Sequence, residues 1–321
     1  MQPIFSICIT TYNMASYIER AIKSAQQQEI EADIEILICD DHSTDNTSEI
    51  LDKFKTISNI TILYNNTNQG VLKSLSRLIS IAKGKYVALL DADDYWCSTN
   101  HLKIHHDIYK SQNEIGFIFG NYQFLEEGSG RTNTGMKENF LFPAKNQFEF
   151  SLLNYPILTS TSSFRKELIT EKELNDYILN NFPTSDYGIY LGLMLKSTGF
   201  YSSEITTVYN FRINSQSRKA DIYARISHMI NRHKIGDYFI DRHHVDKKIV
   251  QKRDFLLNQK VLLASWLSFN HSFIKKNAAK LKLTQFLKYN PKASYIYFAS
   301  KSKFLYKICR PWVLRKRPPG Q

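Results

Sequence analysis

The chain has 321 residues, 43% of them hydrophobic and 13% aromatic, enough apolar side chain to bury a core. This composition excludes a disordered, collagen-like or disulfide-stapled chain, and the length suits about two domains. Charge divides it: residues 1–217 carry 18 Lys and Arg against 25 Asp and Glu, whereas residues 218–321 carry 24 against five Asp and no Glu.

Ile4–Ile9, Ile34–Cys39, Ile60–Tyr64 and Tyr86–Leu90 are short, nearly unbroken apolar runs, the pattern of strands covered on both faces. Between them, Ile18, Ala21, Ile22 and Ala25 share one helical face, as do Ile50, Leu51, Phe54 and Ile57. Val71, Leu75, Leu78, Ile79 and Ala82 form a third stripe, with Gly84 placed to close that helix in left-handed geometry. Alternating strand and helix predict an open α/β sheet. Further on, the pattern predicts a helix over Asn100–Ser111, a strand over Ile115–Tyr122 and a mobile loop over Glu126–Glu138. Helices over Phe148–Leu153, Lys166–Leu179 and Asp186–Lys196 and a strand over Thr206–Phe211 follow, and beyond Asn214 the chain reads as basic helices.

No apolar run reaches the ~18 residues of a membrane span. Met1-Gln2-Pro3 leads into an apolar stretch without the basic opening or small-residue cleavage site of a secretory leader. Cys8, Cys39, Cys97 and Cys309 lie far apart with no metal-ligand spacing, which reads as reduced thiols in a cytosolic compartment.

Ligands of open α/β sheets bind beyond the carboxyl ends of the strands. Those ends carry Thr10-Thr11-Tyr12-Asn13, Asp40-Asp41-His42-Ser43 and Asp91-Ala92-Asp93-Asp94. Crowded carboxylates of this kind repel unless a cation or a hydrogen-bonding ligand lies among them, and a hard divalent ion with a substrate diphosphate suits oxygen ligands. Neither GxxxxGK[ST] nor GxGxxG occurs, so phosphate would be met by the ion and a few basic side chains such as Lys73.

The ordered set Ser6–Asn13, Glu35–Asp45, Asn68-Gln69-Gly70, Gly84-Lys85-Tyr86 and Leu90–Trp96 closely resembles the family 2 glycosyltransferases. The resemblance spans residues 3 to about 217. It implies a GT-A fold, a Rossmann-like mixed sheet flanked by helices, over residues 1–217. Residues 1–98 would form the nucleotide-sugar half and 99–217 the acceptor half, with a basic helical region over 218–321. It also implies inverting sugar transfer, assisted by Mn2+ or Mg2+, from a nucleotide sugar (most simply a UDP-sugar) to a glycan acceptor. Carried across by position, Thr10 and Tyr12 frame the nucleobase and Asp41 accepts from the uracil N3–H. Asp93 lies near the ribose, diphosphate and metal, and Asp94 on the metal. Lys73 and Arg212 are the basic donor contacts and Asp186 the general base. Bland readings stand beside these: Asp40 capping local N–H groups, Asp186 capping its own helix, Arg212 tying down a loop.

His42 stands where the family has Gly, Ser185 where it has Glu, Leu75 where many relatives have Arg and Asn214 where it has His. The Gln-x-x-Arg-Trp motif of polymer-forming members is absent, which with the lack of a membrane-length apolar run favours addition of a single sugar. Thr159–Ser163, rich in hydroxyls, falls on the acceptor side and reads as a sugar-binding loop or a plain turn. His101 and His105 have the spacing of HExxH, but Leu102 occupies the glutamate position, so zinc is rejected. The basic, aromatic-laced residues 218–321 suit an anionic membrane surface at the inner leaflet, carrying a polyprenyl-diphosphate acceptor, over nucleic acid or a plain solvated face. That reading makes the protein cytoplasmic and peripheral. A noncatalytic nucleotide-sugar-binding module and a sugar nucleotidyltransferase are the alternatives.

Overall fold

The computed structural model describes residues 2–212, 221–268, 270–302, 304–305 and 308–309. It comprises two compact units, Met1–Arg212 and Ile213–Gln321. The boundary expected at residue 217 lies outside the described residues.

In the first unit, β1 (Phe5–Thr11), β2 (Ile34–Asp40), β3 (Ile60–Tyr64) and β4 (Tyr86–Leu89) run parallel, joined through α1 (Ile18–Gln26), α2 (Thr47–Asp52) and α3 (Val71–Ile81). Then follow β5 (Tyr95–Trp96), α4 (His101–Ser111), β6 (Ile115–Glu126), β7 (Thr132–Thr134), α5 (Gln147–Leu153), β8 (Ser162–Arg165), α6 (Glu171–Leu179), α7 (Asp186–Met194) and β9 (Thr198–Phe211). The strand order is β3-β2-β1-β4-β8-β6-β9-β5, with β7 paired to β6. β8 lies antiparallel to both β4 and β6, and this makes the sheet mixed. β1 is central and its Phe5, Ile7 and Ile9 are wholly buried, as are Ile18, Ala21, Ile22 and Ala25 of α1. Each such large side chain contributes about 1.5–3 kcal/mol on burial, which is why the apolar runs fix these strands despite their shortness.

Four local expectations change. Gly84 does not cap α3, whose C-cap is Ala82. It is needed because a Cβ there would stand 2.4 Å from the Ser6 nitrogen of β1. The loop over Glu126–Glu138 contains β7, turned back onto β6 through Gly128 and Gly130 at φ 86° and 66°. The helix expected over Lys166–Leu179 begins only at Glu171, after a tight turn, because Thr170 and Glu173 form a reciprocal capping box. The strand expected at Thr206–Phe211 begins eight residues earlier, its outer half held by parallel pairing with β6.

The second unit holds α8 (Ile222–Ile240), α9 (Lys247–Ser265), α10 (His271–Ala278), α11 (Leu283–Tyr289) and α12 (Ser294–Lys301). Asp221, Asp246 and Asn270 cap the first three by accepting backbone N–H bonds. Phe255, Leu262, Trp266, Ile274 and Phe286 centre a separate core, in which the Trp266 indole donates to Ser300 Oγ at 2.9 Å. Among the described residues, no helix is long and apolar enough to cross a membrane.

Candidate active site

The loops beyond β1 and β2 are fastened to each other. Asn13, at φ 54°, accepts from Thr44 N at 2.7 Å and donates its own N–H to Ser43 Oγ at 2.9 Å. Asp40 accepts the Ser43 backbone N–H at 3.2 Å and the Ser43 hydroxyl, the local cap weighed from the sequence. His42, in the position of a family glycine, adopts φ 68°, so the left-handed turn is kept with a side chain on it. Tyr12 is 38% exposed beside the partly exposed Thr10, whereas Asp41 is buried. Asp41 Oδ1 accepts from Asn65 Nδ2 (2.7 Å), Gln69 N (2.8 Å) and Ser74 Oγ (3.0 Å), and Oδ2 from Gly70 N (2.8 Å). The carboxylate thus pins the Asn68–Gly70 turn that opens α3. From that helix Lys73 is exposed, Leu75 is buried, and Arg77 donates to Asn65 Oδ1 and the Tyr64 carbonyl.

The turn after β4 separates its three carboxylates into different environments. Asp94 is 1% exposed, with Ser160 Oγ donating to Oδ2 at 2.6 Å and the Asn210 N–H donating to Oδ1 at 3.0 Å. Burial, then the charges of Asp93 and Asp91, push its carboxyl well above the usual range. Asp93 is partly exposed and its Oδ2 receives Nε and Nη2 of Arg212 at 2.8 and 2.6 Å. Asp91 is pushed up to about 7 by burial and by the charges of Asp93 and Asp186, against hydrogen bonds from Thr159 and Ser160. Asp186 is therefore close enough to this turn for its charge to be felt there. It is the first residue of α7, in the acidic-favouring first turn, and the N-cap residue Ser185 makes no side-chain cap bond.

The sequence missed Ser160 and Asn210, the two braces of Asp94, and Tyr17 and Glu127, which meet near Arg212. The hydroxyl-rich stretch is the opposite of a sugar-binding surface: Ser160, Thr161, Ser162 and Ser163 are fully buried. Ser163 Oγ meets His105 Nδ1 at 2.8 Å and Tyr109 Oη at 3.1 Å, and Thr161 donates to the Leu158 carbonyl. Thr159, which is partly exposed, and the buried Ser160 both reach Asp91. His101 and His105 are core residues: His101 Nδ1 lies 2.7 Å from Thr206 Oγ1, and its ring stacks on Trp96. Asn214 lies outside the described residues.

Among the described residues, no three His, Cys, Asp or Glu side chains gather as a metal cage. A rim of two carboxylates that are only partly exposed, Asp91 and Asp93, suits instead an ion whose remaining ligands come from phosphate and water, the habit of Mg2+ and Mn2+.

Residues 6–171 match the family described as Glycosyl transferase family 2, and the chain belongs to that family. The UDP-Glc:alpha-D-GlcNAc-diphosphoundecaprenol beta-1,3-glucosyltransferase WfaP of Escherichia coli is 29% identical over 229 residues, covering 71% of this chain and 84% of that protein. S. aureus TarS 1-349 in complex with UDP-GlcNAc matches with a TM-score of 0.62 over 97% of this chain and 91% of that one, at 16% identity. The mannosyltransferase PcManGT from Pyrobaculum calidifontis, in complex with GDP-Man and Mn2+, matches with a TM-score of 0.53 over 98% and 86%, also at 16% identity. The fold is that of the GT-A glycosyltransferases, and the chain is a glycosyltransferase.

Proposed function

We propose that this enzyme moves a single sugar, with inversion, from a UDP-sugar to a hydroxyl of a glycan carried on a polyprenyl diphosphate. The observation that carries the reading is the acidic rim at the carboxyl end of the sheet, where burial, then the charges of Asp93 and Asp186, raise Asp91 to about 7 while Arg212 faces Asp93. Negative charge concentrated this way calls for a cation and a polar substrate. The donor and acceptor of the Escherichia coli relative WfaP, UDP-Glc and alpha-D-GlcNAc-diphosphoundecaprenol, support the same choice for this chain.

In this reading the nucleotide half is residues 1–98 and the acceptor half continues to the end of the first unit. Tyr12 offers its exposed ring to the base, beside Thr10. Asp41 Oδ2 takes one hydrogen bond where a carboxylate oxygen can take two, and its second lone pair is assigned to the uracil N3–H. Lys73 and Arg212 meet the phosphates. Asp93 with Asp91 would hold Mn2+ or Mg2+, which when bound neutralises charge developing on the departing diphosphate. Asp94, placed on the metal by resemblance, is reassigned as the brace that joins the acidic turn to Ser160 and to β9, because both its oxygens are occupied and buried. Asp186 takes the proton of the acceptor hydroxyl as that oxygen attacks C1 from the face opposite the leaving group, a service typically worth about 10²–10⁴ in rate. The basic second unit, with Leu287, Tyr295 and Phe298 exposed among its lysines, is assigned to an anionic membrane surface.

The test is a panel of nucleotide sugars offered with a polyprenyl-diphosphate GlcNAc acceptor, with the released nucleotide identified. The reading expects acceptor-dependent release of UDP that EDTA stops and Mn2+ restores. Release of pyrophosphate would assign a nucleotidyltransferase, and binding without release a noncatalytic module; either overturns it.

A further inference from the structure

Arg212 follows directly on β9, and its guanidinium is held on two sides. Its edge donates to Asp93 through Nε and Nη2. Its face lies over the ring of Tyr17, 5.2 Å from the centroid. The Tyr17 hydroxyl in turn donates to the Glu127 carboxylate. The backbone N–H of Glu127, in the β6–β7 turn, donates to the carbonyl of Phe211 at 3.0 Å, next to Arg212 itself. These contacts close a circuit through four separate segments: the start of α1, the acidic turn, the β6–β7 hairpin and the end of β9. Tyr17 is the rigid member, since it directly precedes the buried Ile18 of α1 and its N–H donates to the Met14 carbonyl.

A guanidinium stacked by its face keeps all five in-plane N–H groups for its edge partners, and Asp93 engages only two of its nitrogens. It can therefore exchange a carboxylate for a phosphate while the stacked face stays where it is. We propose that Tyr17 is a positioning residue for the donor. Its ring holds the Arg212 guanidinium at the rim, and its hydroxyl, through Glu127, ties the β6–β7 hairpin to the same point. Donor binding then transfers the Arg212 fork from Asp93 to the diphosphate without freeing the side chain, so less ordering remains to be done on binding. The assignment rests on the donor reading given above and adds to it a residue and a hairpin that the resemblance did not imply.

The experiment is calorimetric titration of the full chain with UDP in the presence of Mn2+, with amide hydrogen exchange of residues 126–131 as a second readout. Tyr17→Ala and Tyr17→Leu, the latter keeping apolar bulk beside α1, are expected to weaken UDP binding about 3- to 10-fold. Tyr17→Phe keeps the ring and should bind within about 2-fold of wild type, but with faster exchange in the hairpin, as should Glu127→Gln. In an Arg212→Ala background Tyr17→Leu should cause no further loss, because its effect runs through the guanidinium. Equal UDP affinity in wild type and Tyr17→Leu, or the same loss in both backgrounds, overturns the assignment and leaves the donor reading standing. A wild-type chain that binds no nucleotide diphosphate overturns the donor reading itself, and the assignment with it.

Discussion

Three carboxylates within four positions of the chain meet three different fates. Asp91 and Asp93 stay partly open, whereas Asp94 is closed over by hydroxyl and amide donors. A carboxylate whose oxygens are already bonded inside the protein contributes to the cohesion of the turn, and one at the rim contributes to ligand binding. Asp93→Asn is accordingly expected to raise the Mn2+ concentration needed for half-maximal transfer by tenfold or more, on the order of the affinity lost with one carboxylate ligand. Asp94→Ala should instead lower the melting temperature, with an unfolding cost of about 1–3 kcal/mol from the donors left unpaired in the interior. Comparing metal titrations and thermal melts of the two variants checks the division. Asp186→Asn should leave UDP affinity within about 2-fold while cutting turnover by about 10²–10⁴, as loss of a general base does. Near-normal turnover in that variant would remove Asp186 from the mechanism. Tandem Asp residues can be read from the sequence, but which of them is buried cannot. The deciding partners of Asp94 stand 66 and 116 residues away.

α4 shows how an element can mimic a site. Its His101 and His105 lie one turn apart, yet both rings face inward, toward Thr206 and Ser163. Burial drives His105 down to about 3 and His101 well below its ordinary value, so both are neutral in the fold at every physiological pH. The unfolded chain takes up protons on these rings below about pH 6.5 while the folded chain does not. Stability contributed by their neutral state is therefore full above that pH and lost as pH falls toward the folded value. For His105 the loss amounts to about 2 kcal/mol between about pH 7 and about pH 5. His105→Gln, which can still bond Ser163, should show a correspondingly flatter decline in urea denaturation across that range. An unchanged slope would mean that the ring is protonated inside the fold. The boundary of α6 carries a different lesson. Thr170-Glu-Lys-Glu173 carries the spacing of a capping box, and it starts the helix five residues after the expected Lys166.

For the molecule as a whole, the dominant fact is the division of charge, with 24 of its 42 basic residues after position 217 and none of its glutamates. Each lysine or arginine near an anionic surface adds about 1 kcal/mol of attraction, which falls away within a Debye length as salt rises. The full chain is expected to sediment with vesicles containing anionic lipid at physiological salt and to be released at high salt. Phe298→Glu should weaken that association and leave transfer to a soluble acceptor analogue unchanged. Indifference to anionic vesicles at physiological salt would dispose of the membrane assignment.

Local order was legible because it depends on neighbours in sequence. The apolar runs gave β1 to β4, and the helical stripes gave α1 and α3 but only half of the second helix, since α2 ends at Asp52 before Phe54 and Ile57. What needed the tertiary structure was every property set by distant segments meeting. β8 inserts antiparallel between β4 and β6 and so buries the hydroxyl-rich stretch, which composition left open between a sugar-binding loop and a plain turn. The turn that leads into β8 sets Ser160 against Asp94, and β9 and the residue after it bring Asn210 and Arg212 to the acidic turn. A residue's type fixes what chemistry it can do. Burial and the partners brought from far along the chain decide which of those chemistries remains open to it.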